Sequence, residues 1–142
     1  MLIREEFFVE AGDYQRAGEA SAAIKRTLKQ LGVSGPVLRR MAVAAYEAEM
    51  NLVIHSLGGT LMLMVEPPMA YLSSNDVGPG IPDIDEAMRE GFSTANEQAR
   101  SLGFGAGMGL SNMKRNASTF HIESRLGDGT SIRMAFDLGE AL

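Results

Sequence analysis

Residues 42–56 read AVAAYEAEMNLVIHS. Glu47, Asn51 and His55 recur at steps of four, which places them on one side of a helix, inside an arc of about 80°. Val43, Met50, Val53 and Ile54 make the rest of the stretch apolar and call for a core on other sides. A solvent-facing stripe explains three polar residues in register. The same register also suits metal-assisted chemistry. An amide oxygen is a hard ligand of the kind Mg²⁺ takes, and a carboxylate one turn away accepts a proton.

Outward from this helix, Ser34 and Pro36 mark its start, so the periodicity predicts a helix to about Ser56. Before it, Asp13 is expected to cap a helix running to about Leu31, with Ala17, Ala20, Ile24, Leu28 and Leu31 as its apolar stripe and Gly32 as its left-handed stop. Residues 2–9 read as a strand. After the central helix, Gly58–Gly59 form a turn, 60–66 (TLMLMVE) a buried strand and 69–75 a weaker one, with Pro67–Pro68 between them. A short helix fits 84–90. Residues 91–107 lack periodicity and form a long loop, of the length that usually carries function. A helix resumes near Met108 and ends near Ser118. Strands follow at 119–125 and 130–138, joined by a Gly127-Asp128-Gly129 hairpin turn. This order implies one α+β domain over residues 1–142, a two-layer sandwich with helices on one face of a mixed sheet.

Composition narrows the function classes. The chain has 142 residues, 45% of them hydrophobic, enough for a core without staples. It has no cysteine, so disulfides, thiolate metal sites and cysteine nucleophiles are excluded. A net charge of −5 with no basic run argues against a broad nucleic-acid surface. No apolar stretch reaches the length of a membrane span and no leader pattern opens the chain, so a cytoplasmic, membrane-free protein is expected. His55 and His121 are too few and too far apart in sequence to suggest zinc.

The 16 glycines concentrate at 78–80, 103–109 and 127–129. In the first cluster, Asp76-Val77-Gly78-Pro79-Gly80 follows a strand. A tight turn explains these residues unaided. The carboxylate is also suited to accept a hydrogen bond from the amino group of adenine, and Gly78 and Gly80 let backbone approach a base. In the second, Gly103-Phe104-Gly105-Ala106-Gly107-Met108-Gly109-Leu110 runs into a helix start, where free amides and the positive helix end favour phosphates. It is neither a P-loop nor a dinucleotide fingerprint.

These elements, in this order, resemble the GHKL ATPases with the Bergerat ATP-binding, histidine-kinase-like fold. The matching motifs are Glu47-x-x-x-Asn51-x-x-x-His55, Asp76-x-Gly78-x-Gly80, Gly105-x-Gly107-x-Gly109-Leu110 and Gly127-x-Gly129-Thr130, spread over about residues 10 to 138. The compact size is similar to the anti-sigma-factor serine/threonine kinases and switch kinases of bacterial partner-switching systems. The resemblance implies ATP and Mg²⁺ as cofactors, with Asn51 as the metal ligand, Glu47 as general base and Asp76 on the adenine amino group. It implies Thr130 as a support of the base contact, through a hydroxyl or water, and Gly105, Gly107 and Gly109 around the phosphates. Residues 92–100 look like the lid, where Thr94 and Arg100 would meet the γ-phosphate and Arg100 would offset transition-state charge. An exposed loop arginine is the plainer reading of Arg100. The lid is several residues longer than in the compact kinases, and Ala117-Ser118-Thr119 is more polar than expected before a strand.

The expected partner is a STAS-domain anti-sigma-factor antagonist, phosphorylated on serine or threonine, with a sigma factor or a phosphatase as alternatives and room for a homodimer. A nucleotide-gated binding module with little kinase activity is the second reading. A detached histidine kinase catalytic domain is the third, and nothing in the chain supplies its phospho-accepting helix pair.

Overall fold

The computed structural model describes residues 2–78, Ile84, Met88 and residues 109–139. Strand β1 (Ile3–Val9) is followed by helices α1 (Glu19–Gln30) and α2 (Gly35–His55), then strands β2 (Gly59–Glu66) and β3 (Met69–Asp76). Helix α3 (Gly109–Asn116) precedes strands β4 (Thr119–Arg125) and β5 (Gly129–Asp137). The five strands form one sheet in the order β1-β2-β3-β5-β4.

Every described pairing is antiparallel, which corrects the expectation of a mixed sheet. The long connection after β3 does return the chain in the same direction, as β4. The β4–β5 hairpin then inserts β5 between β3 and β4, so no two parallel strands become neighbours. Pro67 and Pro68, joined by a cis peptide bond, make the turn between β2 and β3.

Alternation along the strands sets the two faces. Leu61, Leu63, Val65, Ala70, Leu72, Ile132, Met134 and Phe136 are buried beneath the helices. They pack against Ile24 and Leu28 of α1 and Met41, Ala44, Ala45, Ala48 and Leu52 of α2. Small alanines on α2 let the helix lie close to the sheet, so the residues on its flanks sit at a fixed height above the strand ends.

Helix α1 begins five residues later than the sequence suggests, with Gly18 rather than Asp13 at the cap position. Asp13 Oδ1 accepts a hydrogen bond from the Arg16 amide at 3.3 Å, so it closes a turn before the helix rather than capping it. The start of α1 is instead held from α2. Glu49, only 2% exposed, accepts from the backbone amides of Gly18 (3.0 Å), Ala20 (3.2 Å) and Ser21 (2.9 Å). A carboxylate at this positive helix end satisfies amides that would otherwise be orphaned. At the other end, Gly32 has φ +83° and the Val33 amide reaches the Leu28 carbonyl at 3.2 Å, a Schellman stop.

Candidate functional site

Helix α2 places Glu47 and Asn51 on its flank toward α3. A Cβ added at Gly109, the first residue of α3, would lie 3.1 Å from Glu47 Oε2 and 3.3 Å from Asn51 Oδ1. The two side-chain oxygens therefore converge on the backbone at the start of α3. Asn112, one turn further on, donates from Nδ2 to Glu47 Oε1 at 3.4 Å. Arg115 donates to Asn112 Oδ1, which turns the amide so that its NH₂ faces the carboxylate. Burial pushes the Glu47 carboxyl above its ordinary value, and the Asn112 hydrogen bond opposes part of that rise. An elevated carboxylate is a stronger proton acceptor near neutrality. The flanking α3 N-terminus also directs the positive end of the helix dipole here, a setting that favours an anion.

The second part of the site lies at the end of β3. Asp76 pairs in register with Gly59 and sits against the β4–β5 hairpin. Its Oδ1 accepts from the Thr130 amide at 2.8 Å. Any Cβ at Gly129 would run into the Asp76 carbonyl oxygen and would lie 2.8 Å from Asp76 Oδ1, and its φ is +119°. Glycine is required there on both counts. The turn before it is closed by the Asp128 amide on the Arg125 carbonyl at 3.0 Å. Gly78 meets the same hairpin, with its added Cβ 3.2 Å from the Gly127 carbonyl oxygen. The Val77 amide bonds the Gly58 carbonyl at 3.1 Å, tying the loop to the end of α2. Burial pushes the Asp76 carboxyl upward, opposed by the Thr130 amide. Among the described residues Asp76 Oδ2 has no protein partner, so it is available to a donor from outside.

Four of the expected residues are thus assembled in two pairs: Glu47 with Asn51, and Asp76 with Thr130. Thr130 meets Asp76 through its backbone amide, while its hydroxyl pairs with Ser124 at 2.8 Å. Gly109 and Leu110 open α3, and Leu110 is buried in the core. Gly80, Thr94, Arg100, Gly105 and Gly107 lie outside the described residues, as do most of the short helix expected at 84–90 and the whole loop 91–107. From that helix, the Met88 amide donates to the Ile84 carbonyl at 2.9 Å. Sequence reading missed Asn112 and Arg115, which share a face of α3 at a step of three. It also missed Ser124, which faces Thr130 across the β4–β5 hairpin, and Glu49, whose neighbours in sequence drew the attention.

The histidine kinase-, DNA gyrase B-, and HSP90-like ATPase family matches residues 37–140, most of the chain. The chain belongs to that family. Membership implies an ATP site. The chain is 28% identical over 119 residues to an anti-sigma F factor of Geobacillus stearothermophilus, covering 80% of this chain and 78% of that protein. It is 29% identical over 113 residues to the serine/threonine-protein kinase RsbT of Bacillus subtilis (strain 168), covering 77% and 79%. It is 33% identical over 103 residues to an anti-sigma F factor of Thermoanaerobacter sp. (strain X514), covering 68% and 67%. Among solved structures, the catalytic domain of the histidine kinase ThkA superposes with a TM-score of 0.54 at 14% identity, covering 96% of each chain, which supports the fold.

The residues present fit the nucleotide and its metal. A nucleotide's phosphates would need open space beside such oxygens, and Gly109 leaves clear the place where a side chain would crowd Glu47 and Asn51. The donor atoms there are hard oxygens, as Mg²⁺ requires. Among the described residues no cluster of three His, Cys, Asp or Glu exists. A divalent ion at Asn51 would accordingly share its shell with phosphate oxygens and water, the usual arrangement for Mg²⁺.

Proposed function

We propose that this chain is an ATP- and Mg²⁺-dependent serine/threonine protein kinase of the anti-sigma regulatory type. Its acceptor would be a STAS-domain anti-sigma-factor antagonist, and its setting a cytoplasmic partner-switching pathway in which a sigma factor or phosphatase also takes part. The observation that carries the reading is the convergence of the Glu47 and Asn51 oxygens on the backbone of Gly109. The names of the relatives, an anti-sigma factor and a serine/threonine kinase, support the same class.

In this reading Asp76 Oδ2 accepts from the adenine amino group, held in place by the Thr130 amide on Oδ1. A guanine carbonyl at that position would be repelled. Asn51 Oδ1 would hold Mg²⁺, which when bound neutralises developing charge on the transferred phosphoryl group. Glu47 takes the proton of the acceptor hydroxyl, with Asn112 orienting the carboxylate. In the lid, Thr94 and Arg100 would meet the γ-phosphate, and Gly105 and Gly107 would wrap the phosphates together with Gly109.

The test is transfer of labelled γ-phosphate from ATP to any STAS-domain protein encoded beside this gene. Labelled serine or threonine is expected. Failure to label any such neighbour, with ATP demonstrably bound, overturns the kinase reading. A second reading, a nucleotide-gated binding module, is favoured by the several relatives named only as anti-sigma factors. Stable ATP-dependent capture of a partner by a Glu47→Ala protein, with no transfer by the parent, would select it.

A further inference from the structure

Charge is distributed unevenly along this acidic chain. Residues 20–46 contain Lys25, Arg26, Lys29, Arg39 and Arg40 and no Asp or Glu, although the whole chain carries −5. All five cations are exposed. None has an ion-pair partner among the described residues.

Arg39 and Arg40 stand on the helix that carries Glu47. At 100° per residue, Arg39, Arg40, Val43, Tyr46 and Glu47 fall within an arc of about 120° on α2. The opposite side, with Met41, Ala44, Ala45 and Ala48, is fully buried against the core. From Arg39 to Tyr46 the arc is therefore the outward face of the helix, and it ends at the buried Met50. It exposes two large apolar side chains, Val43 at 40% and Tyr46 at 39%. Burial raises the Tyr46 hydroxyl, and the charges of Glu47 and Glu49 raise it further. From Glu47, Val43 lies about 6 Å and Arg39–Arg40 about 10–12 Å back along the axis.

We propose that this ridge is the docking surface for the acceptor protein, and that its occupant is an acidic–apolar protein segment. The acidic residues would lie over Arg39 and Arg40, an apolar side chain would cover Val43 and the Tyr46 ring, and the acceptor hydroxyl would fall next to Glu47. Charge complementarity selects an acidic occupant, because positive charge on an otherwise negative protein steers such a partner to this face and repels a basic one. This inference rests on the protein-kinase reading for its acceptor, but not for its binding.

The test uses the ADP-bound protein, ¹⁵N-labelled, titrated with a peptide of Glu, Leu and Ser and with its counterpart bearing Lys in place of Glu. The acidic peptide is expected to bind about tenfold tighter at low salt, with the difference fading as salt screens the charges. Its amide shifts should fall on Arg39, Arg40, Val43 and Tyr46. The double variant Arg39→Glu/Arg40→Glu should reverse the preference and leave ADP affinity unchanged. Equal binding of the two peptides, shifts confined to other elements, or a preference unaltered in the double variant would each overturn the proposal. If the peptides dock as expected while no neighbouring STAS-domain protein is labelled with ATP bound, the kinase reading fails and the docking surface stands.

Discussion

Replacing Gly109 by alanine separates the site from the fold. Gly109 has no positive φ, so the backbone accepts an L-residue there. Alanine is a better helix former than glycine, and the substitution alone should add at most about 1 kcal/mol to stability. For a chain of this size that is a rise in Tm of about 2–4 °C. The new methyl, however, would sit 3.1 Å from Glu47 Oε2 and 3.3 Å from Asn51 Oδ1, so these oxygens must give by a few tenths of an ångström. A misplacement of about 1 Å at a reacting centre costs about a hundredfold, so a third of that displacement, felt by both groups, predicts about a tenfold loss in transfer rate. Mg²⁺–ATP affinity should fall by a similar factor, while metal-free ADP affinity changes less. Single-turnover transfer, calorimetric titration with and without Mg²⁺, and thermal unfolding read the three quantities. A Gly109→Ala protein that transfers phosphate at the parent rate would refute the claim that Glu47 and Asn51 work at this spot. A variant that loses activity only in proportion to lost folded protein would do the same.

Glu47→Gln should lower phosphoryl transfer by about 10²–10⁴ while sparing ADP binding, and full activity in that variant would reject Glu47 as the base. The same substitution tests linkage. Because burial raises the Glu47 carboxyl, the folded state binds its proton more tightly than the unfolded chain, so this group favours folding below its ordinary range and opposes it once pH passes the raised value. Glu47→Gln should therefore unfold at a higher temperature than the parent near neutral pH, an advantage that shrinks as the pH falls into the ordinary carboxylate range. A Tm difference independent of pH would contradict it. Asp76→Asn should weaken ADP and ATP binding about ten- to a hundredfold and narrow the preference over guanine nucleotides, and unchanged adenine affinity would contradict the role given to Asp76. Glu49→Ala strands three backbone amides at the start of α1 and should destabilise by about 2–4 kcal/mol in denaturant titration, with nucleotide affinity reduced only in step with folding.

The parts of the fold legible in the sequence are those whose cause is local. Ser34 and Pro36 set the start of α2, and Gly127 with Gly129 sets the hairpin, because φ preferences act within a few residues. The start of α1 was not legible from Asp13, because the group that fixes it, Glu49, lies about thirty residues away. Strand direction failed for a similar reason. Nothing within β5 says that it will insert between β3 and β4, since that choice is made by long-range burial of Ile132, Met134 and Phe136. In the site, helical spacing puts Glu47 and Asn51 on one side of α2, and only the resemblance gives them expected roles. The support for Glu47, Asn112, belongs to a helix joined to it only in three dimensions, while Ser124 faces Thr130 through a hairpin register that the turn residues alone do not set.

The position of the site follows from the same contacts that limit stability. Small residues at Ala44, Ala45 and Ala48 bring α2 down onto the sheet, and this leaves Glu47 partly buried on its flank, where its charge is poorly solvated. Asp76 suffers the same at the end of β3, under a hairpin that tolerates only glycine above it. A structure built for stability alone would place neutral side chains at both positions and alanine at Gly109. The chain instead keeps two carboxyls pushed upward, each steadied among the described residues by one hydrogen bond, and a glycine beside the acid and the amide. Among the described residues both carboxyls retain an oxygen for a bound group. That coincidence ties the geometry to ligand binding more closely than any one motif, because a merely structural turn at Asp76 or a solvent stripe on α2 would need neither the buried charge nor the cleared space.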